Sequence, residues 1–289
     1  MNDKRLDRYR AAIQEKFPAL AITSLAYLSE GWDSVACLVN EEMVFRFPKR
    51  KVVESVLKVE IALLPELAPT LPLPVPHFDF VSKARGKNFP YAFVGYPILP
   101  GEPLDEWPEE NWWQPQLGPF LSALHAFPVS RARQLGVKEQ VLYPLENKGQ
   151  GWKAYLADFY ALCRERINPL LSQEQQTGLQ NYFVSYLNQP AFFEFEPKLI
   201  HADLGPEHVL ADFKRLRLTG IIDFGDVSLG DPAFDVPESV RPFYQGEPDP
   251  TYPERRRFYS KLGPLVTILF GLDHQDALLV EYGLNTIEF

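Results

Sequence analysis

Two short stretches of this chain place groups capable of proton and metal chemistry at a set spacing. The first is Leu199-Ile200-His201-Ala202-Asp203-Leu204-Gly205-Pro206-Glu207-His208-Val209-Leu210, and the second is Thr219-Gly220-Ile221-Ile222-Asp223-Phe224-Gly225-Asp226. Asp203 can accept or orient the proton of a hydroxyl. A carboxylate near its ordinary value of about 3.9 is a weak base, so orientation is expected to outweigh abstraction. His208, five residues on, offers an imidazole, and Asp223 a hard carboxylate; together they are expected to hold divalent cations. Such cations serve where negative charge spreads over a transferring group, as on a phosphoryl. His201 reads as structural, bonding the loop to the Asp-Phe-Gly turn, and Asp226 as setting loop geometry. A hydrolytic zinc site made from His201, Asp203, His208 and Asp223 is the competing arrangement, although zinc typically needs a third strong nitrogen or sulfur ligand and an open position.

These residues need a rigid frame. Leu199-Ile200 is a short apolar run entering a polar turn, Val209-Leu210 resumes a strand, and residues 218–222 form another that ends on Asp223. The chemistry therefore sits on loops between strands. Upstream, Leu6, Tyr9, Ile13 and Phe17 have helical spacing, which predicts a helix over residues 1–20. Strands are expected over 21–28, 34–39, 43–47, 78–82 and 91–96, making a five-stranded antiparallel sheet. A helix over 52–67 crosses it, stopped by Pro65 or by the proline-dense stretch 69–76. Beyond Pro97 the pattern turns helical except in the motif region, so an N-lobe of residues 1–97 and a C-lobe of residues 98–289 are expected.

With 289 residues, 46% of them hydrophobic, the chain can bury a large core. Its 29 basic and 38 acidic side chains leave a net charge of −9, which disfavours nucleic acid and anionic membrane surfaces as partners and suits a cationic one. No run of about 18 apolar residues predicts a membrane span. The charged first ten residues lack the apolar core of an export signal, so a cytoplasmic protein is expected, with Cys37 and Cys163 as buried free thiols. Ser29-Glu30-Gly31-Trp32-Asp33 joins two strands. It is either an ordinary hairpin turn or a loop whose backbone N–H groups approach phosphate oxygens.

The paired motifs resemble the aminoglycoside phosphotransferase family, antibiotic kinases with a protein-kinase-like fold. Histidine at position 208 together with Asp223-Phe224-Gly225-Asp226 is most similar to the aminoglycoside 2''-phosphotransferase branch. Macrolide phosphotransferases also carry the histidine, but usually have tryptophan after the metal aspartate, where this chain has Phe224. The resemblance runs from Ser29 to Asn285. It implies an α+β, two-lobed fold with a five-stranded antiparallel, nucleotide-binding N-lobe and a mainly helical C-lobe. It implies Mg²⁺-dependent transfer of the γ-phosphoryl of ATP or GTP to a hydroxyl of a small, cationic, aminoglycoside-like substrate. A macrolide, a metabolic alcohol, or nucleotide binding without turnover are the alternatives.

By the same resemblance Asp203 is catalytic, and His208 and Asp223 bind metal. Ser29, Gly31 and Ser34 line the phosphates, and backbone groups near Tyr96 and Ile98 meet the purine edge. Arg46 stands where the family usually has lysine, with Glu60 as its ion-pair partner. Either Arg46 grips phosphate, or Lys49 substitutes, or nucleotide affinity is weakened. Asp235 and Glu238, at the start of a following helix, are the carboxylates expected to meet substrate ammonium groups. Asp231 is expected to cap that helix, with Pro232 at its first position, and Arg255-Arg256-Arg257 to cap a helix face. A helix over 117–126 packs behind the catalytic loop and buries His125.

Overall fold

The computed structural model describes residues 3–82, 85–145, 149–246 and 249–289. The N-terminal part contains helix α1 (Asp3–Lys16), strands β1 (Leu25–Glu30), β2 (Ser34–Val39) and β3 (Met43–Pro48), helix α2 (Lys51–Leu67), and strands β4 (Phe80–Val81) and β5 (Val94–Pro97). The strands form one antiparallel sheet in the order β1-β2-β3-β5-β4. Alternation along β2 divides its faces. Val35, Cys37 and Val39 are buried against Tyr9, Ala12 and Ile13 of α1, while Ser34, Ala36 and Leu38 turn the other way. Arg46 pairs across to Ala36 and Val94 and so shares that second face, opposite Phe45 and Phe47. Phe45 lies over Gly95, where an added Cβ would stand 2.5 Å from the ring, so β5 needs glycine there.

Several boundaries moved for identifiable reasons. Helix α1 stops at Lys16 rather than continuing to residue 20, because Pro18 bars helical geometry for Phe17. Strand β1 begins late: the side-chain oxygen of Asn40 accepts the N–H groups of Thr23 (2.8 Å) and Ser24 (3.2 Å), taking the place of ladder partners. It also runs through Ser29 and Glu30, leaving Gly31-Trp32-Asp33 as the turn. Pro65 sits inside α2, one turn from its end, and the helix stops at Leu67 ahead of the proline stretch. β4 and β5 are shorter than their apolar runs.

The remainder is mainly helical: β6 (Glu102–Pro103), α3 (Gln114–His125), α4 (Val129–Gln134), α5 (Trp152–Arg166), α6 (Gln173–Leu187), β7 (Lys198–Ile200), β8 (Val209–Asp212), β9 (Arg217–Ile221), β10 (Ser228–Gly230), α7 (Tyr252–Tyr259), α8 (Gly263–His274) and α9 (Ala277–Thr286). β6, β8 and β9 make a small sheet, and β7 pairs with β10. The crossing between lobes turns at Gly101, whose φ of +105° and contact with Thr219 Oγ1, 2.3 Å from an added Cβ, exclude a side chain. Leu63, Leu64 and Leu67 of α2 belong to the large core of the helical lobe, so this helix fastens the two lobes together.

One expected helix is absent. After β10 the chain turns from Asp231 to Pro237 and makes only a 3₁₀ segment, Glu238–Phe243. Asp231 caps no helix. It is fully buried and accepts from Ala233 N (2.9 Å), Arg255 Nε (2.6 Å) and Tyr259 Oη (2.7 Å). Arg255 is thus the buried partner of Asp231 and Asp249, and Arg256 bonds the Phe234 carbonyl, so the arginine run lies partly inside the fold.

Candidate active site

The catalytic loop is held from below. Asp235, buried beneath it, accepts the backbone N–H groups of His201 and Ala202, the latter at 2.9 Å. His201 is fully buried, bonds the Ile222 carbonyl through Nε2 at 3.1 Å and packs its ring on Phe224 at 4.8 Å. This ties the loop to the Asp-Phe-Gly turn, the structural part its residue type suggests. Burial pushes the His201 imidazole down. Ala202 (φ 67°) and Asp223 (φ 62°) both adopt left-handed backbone, a strained choice for residues with a side chain. The bonds from Asp235 and His201 hold that strain beside the two key carboxylates.

Above this base, Asp203, His208 and Asp223 converge. His208 donates from Nδ1 to the Asp203 carbonyl at 2.6 Å. In the neutral ring that leaves the lone pair on Nε2, which lies 3.8 Å from Asp223 Oδ2. The three residues meet one another through hydrogen-bond and ion-pair contacts, and among the described residues no three His, Cys, Asp or Glu side chains are arranged to hold one metal ion between them. Zinc would need such a set. Magnesium needs only one or two protein ligands and completes its shell with phosphate oxygens and water, and His208 with Asp223 fits that requirement.

The cleft is strongly acidic. The surrounding protein screens Asp203 from bulk water, although half its side chain faces the open cleft, and pushes its carboxyl up to about 7; Asp226 and Asp223 add to this against the pull of His208. The same screening, with Asp223 and Asp33 close by, pushes Asp226 up to about 6. Screening works to lower His208, but its bond to Asp203 and the carboxylates of Asp203 and Asp223 outweigh it and raise the imidazole.

Arg46 closes the cleft from the sheet side. Its guanidinium makes a two-oxygen ion pair with Glu60 and reaches Asp223 Oδ1 at 3.4 Å. Burial opposes the charge on Arg46, but Glu60 and the neighbouring groups outweigh it and keep the guanidinium firmly protonated. Lys49 does not take this place: it bonds the Gly31 carbonyl at 2.6 Å and Glu30 at 2.8 Å. Gly31 spends its N–H on the Ser34 carbonyl at 3.1 Å, the bond of an ordinary turn, and a Cβ there would meet open space. The Ile98 N–H is likewise spent on the Glu42 carbonyl at 2.8 Å, leaving only its carbonyl for a purine edge. Tyr96 and Ser34 lie on the cleft face of the sheet, and Ser29 is exposed on β1.

The two expected substrate carboxylates separate. Glu238 is exposed, with Arg241 3.5 Å away. Asp235 is a correction: both its oxygens are committed to the loop and to His125 (3.3 Å), and no part of its side chain reaches solvent. Its acidic type at a presumed helix start looked like a surface group; without that helix the residue is an internal anchor. Sequence reasoning also passed over Trp32 and Asp33. Asp33 faces Asp226, and the Trp32 ring stacks near Phe270 and His274 of α8, 6.3 and 4.7 Å between centroids. A tryptophan in a polar turn was the signal available. Tyr244, bonded to His125, carried none.

The architecture has known counterparts. The GDP and kanamycin complex of APH(2'')-IIIa superposes with a TM-score of 0.85 at 29% identity, covering 96% of each chain. The GDP complex of wild-type aminoglycoside 2'-phosphotransferase-IIIa gives 0.85 at 30% identity over 97% of this chain and 96% of that one. The macrolide 2'-phosphotransferase MphH from Brachybacterium faecium shares the fold, with a TM-score of 0.71 at 21% identity over the whole of both chains. Among curated sequences, the uncharacterized protein YcbJ of Bacillus subtilis is 24% identical over 156 residues, 49% of this chain and under half, 46%, of that protein. Residues 24–267 match the phosphotransferase enzyme family, APH, and the chain belongs to that family.

Proposed function

We propose that this protein transfers the γ-phosphoryl group of ATP or GTP to a hydroxyl of a cationic, aminoglycoside-like substrate in a Mg²⁺-dependent reaction. The observation that carries this reading is the convergence of Asp203, His208 and Asp223 beneath the Arg46–Glu60 pair. Asp203 orients the acceptor hydroxyl and takes its proton as the oxygen bonds to the γ-phosphorus and the bond from that phosphorus to the departing nucleoside diphosphate breaks. His208 and Asp223 would hold magnesium, which would supply positive charge to the phosphate oxygens. Arg46, gripped by Glu60, presents a permanent cation to the phosphate side of the cleft. The carboxylates of Asp203 and Asp226 favour an acceptor carrying ammonium groups, with Glu238 as an outer contact. The GDP complexes of the 2''-type relatives support a guanine nucleotide alongside ATP as donor.

The test is product identification. Protein, Mg²⁺ and GTP or ATP are incubated with kanamycin, with a macrolide and with small polyols, and products are read by mass spectrometry and ³¹P NMR. A phosphate ester on kanamycin supports the reading. An ester formed only on the macrolide or a polyol would replace the substrate class, and nucleotide binding without any ester would make the protein a nucleotide-binding module.

A further inference from the structure

The anchor beneath the catalytic loop does not end at Asp235. His125 on α3, only 3% exposed, faces the Asp235 Oδ2 atom with Nε2 at 3.3 Å and the Tyr244 hydroxyl with Nδ1 at 2.9 Å. Three side chains from separated parts of the chain thus form one line: Tyr244 after the 3₁₀ segment, His125 at the end of α3, and Asp235 under the loop.

The direction of each bond follows from chemistry. Asp235 is a carboxylate: burial works to raise it, but the bond from His125 and the loop's backbone donors outweigh that and hold it below its ordinary value. A carboxylate only accepts, so His125 must carry its proton on Nε2. In the neutral ring Nδ1 then accepts from the Tyr244 hydroxyl. The Asp235 carboxylate thus sets the tautomer, and the bond from the Tyr244 hydroxyl to Nδ1 sets the orientation of the ring. Tyr244 also borders a surface pocket of about 430 Å³ with Glu238, Arg241 and Pro242, so the line runs from the protein surface to the backbone beside Asp203.

We infer that Tyr244 is a positioning residue: its hydroxyl, bonded to Nδ1, holds the His125 ring where Nε2–H meets Asp235, and so steadies Asp235 under the backbone of His201 and Ala202 and, through them, the carboxylate of Asp203. The inference rests on the phosphotransferase reading only for its kinetic consequence. Tyr244 touches no reacting atom, and it acts on the rate by keeping a left-handed loop in register.

The test uses the full chain and Tyr244→Phe, which keeps the ring and removes one hydroxyl. In ¹⁵N-histidine spectra, His125 is expected as the Nε2–H tautomer in both proteins, with its Nδ1 resonance displaced in the variant, where that nitrogen loses its hydrogen bond. Amide exchange at His201 and Ala202 is expected to quicken by about three- to tenfold, the scale of one lost hydrogen bond. With turnover, kcat falls by a similar factor while KM for nucleotide stays within about twofold. In a His125→Gln background, Tyr244→Phe should add nothing further to exchange or kcat. An unchanged His125 Nδ1 resonance, unchanged loop exchange in a folded variant, or a full effect of Tyr244→Phe in the His125→Gln background would each overturn the inference. The spectral and exchange arms need no substrate, so absence of turnover in the parent would sink the kinase reading and leave this one judged by its own measurements.

Discussion

Arg46 is where chemistry of a single residue type matters most. Lysine would present a point charge, whereas the guanidinium bonds both oxygens of Glu60 through Nη2 and reaches Asp223 through Nη1. With Glu60 almost fully buried, removing its partner leaves an uncompensated charge. Arg46→Met is expected to destabilise the nucleotide-free protein by about 3–5 kcal/mol, and Arg46→Lys by clearly less. Thermal or denaturant unfolding measures both; an Arg46→Met protein that unfolds with the parent would show the pair to be inconsequential. Asp226 makes a second residue-level case. Its carboxyl is pushed up to about 6, above an unfolded value of about 3.9, so the folded state binds the proton more tightly. That stabilisation is complete below about pH 4 and is lost as pH rises through about 6. Asp226→Asn should therefore unfold later than the parent at pH 7 and lose this advantage near pH 4. The shift is expected to be small because water reaches the cleft, and an advantage that grew toward low pH would reverse the assignment.

At the scale of elements, the sequence was most legible where side-chain period and punctuation agreed. β2 matches its alternating run residue for residue, and α2 buries Val53, Leu57, Leu63, Leu64 and Leu67 along one stripe that also carries Glu60 inward. The motif strands could be read because each apolar run ends on a chemical residue. Positions 228–236 were not legible. β10 is three residues long and gains its meaning only from pairing with β7, and Asp231-Pro232 has the local signature of a helix start. A distant partner decided the outcome: Arg255, 1% exposed, claims both oxygens of Asp231. Spacing brought Asp203, His208 and Asp223 forward as candidates and the fold places them together, whereas the inward turn of Asp235 was not legible without the tertiary structure. Asp231→Ala should strand the buried guanidinium and cost about 3–5 kcal/mol, eased somewhat by Asp249, which also binds Arg255. Guanidinium chloride unfolding checks it; a loss under about 1 kcal/mol would mean that Asp249 alone suffices.

Across the whole molecule, several contacts among the described residues join the lobes around the cleft, the Arg46–Asp223 pair among them. Leucines of α2 enter the helical core, and Trp32 at the tip of the β1–β2 turn rests on Phe270 and His274 of α8. The family resemblance places that turn over the nucleotide phosphates, and on that reading nucleotide binding should alter the surroundings of the Trp32 indole. The chain has five tryptophans, so the assignment comes from comparison: the fluorescence change on adding GTP or ATP with Mg²⁺ should be largely lost in Trp32→Phe. A change of equal size in that variant would place the response elsewhere. The account as a whole depends on Asp203 orienting an acceptor hydroxyl for phosphoryl transfer. The most direct measurement is nucleoside diphosphate release with Mg²⁺, GTP or ATP and kanamycin, comparing the parent with Asp203→Ala after both are shown to be folded. The expected result is acceptor-dependent turnover that falls by about 10²–10⁴-fold in the variant, with nucleotide binding retained. Equal turnover in the two proteins, or none in the parent with any hydroxylated acceptor, would contradict it.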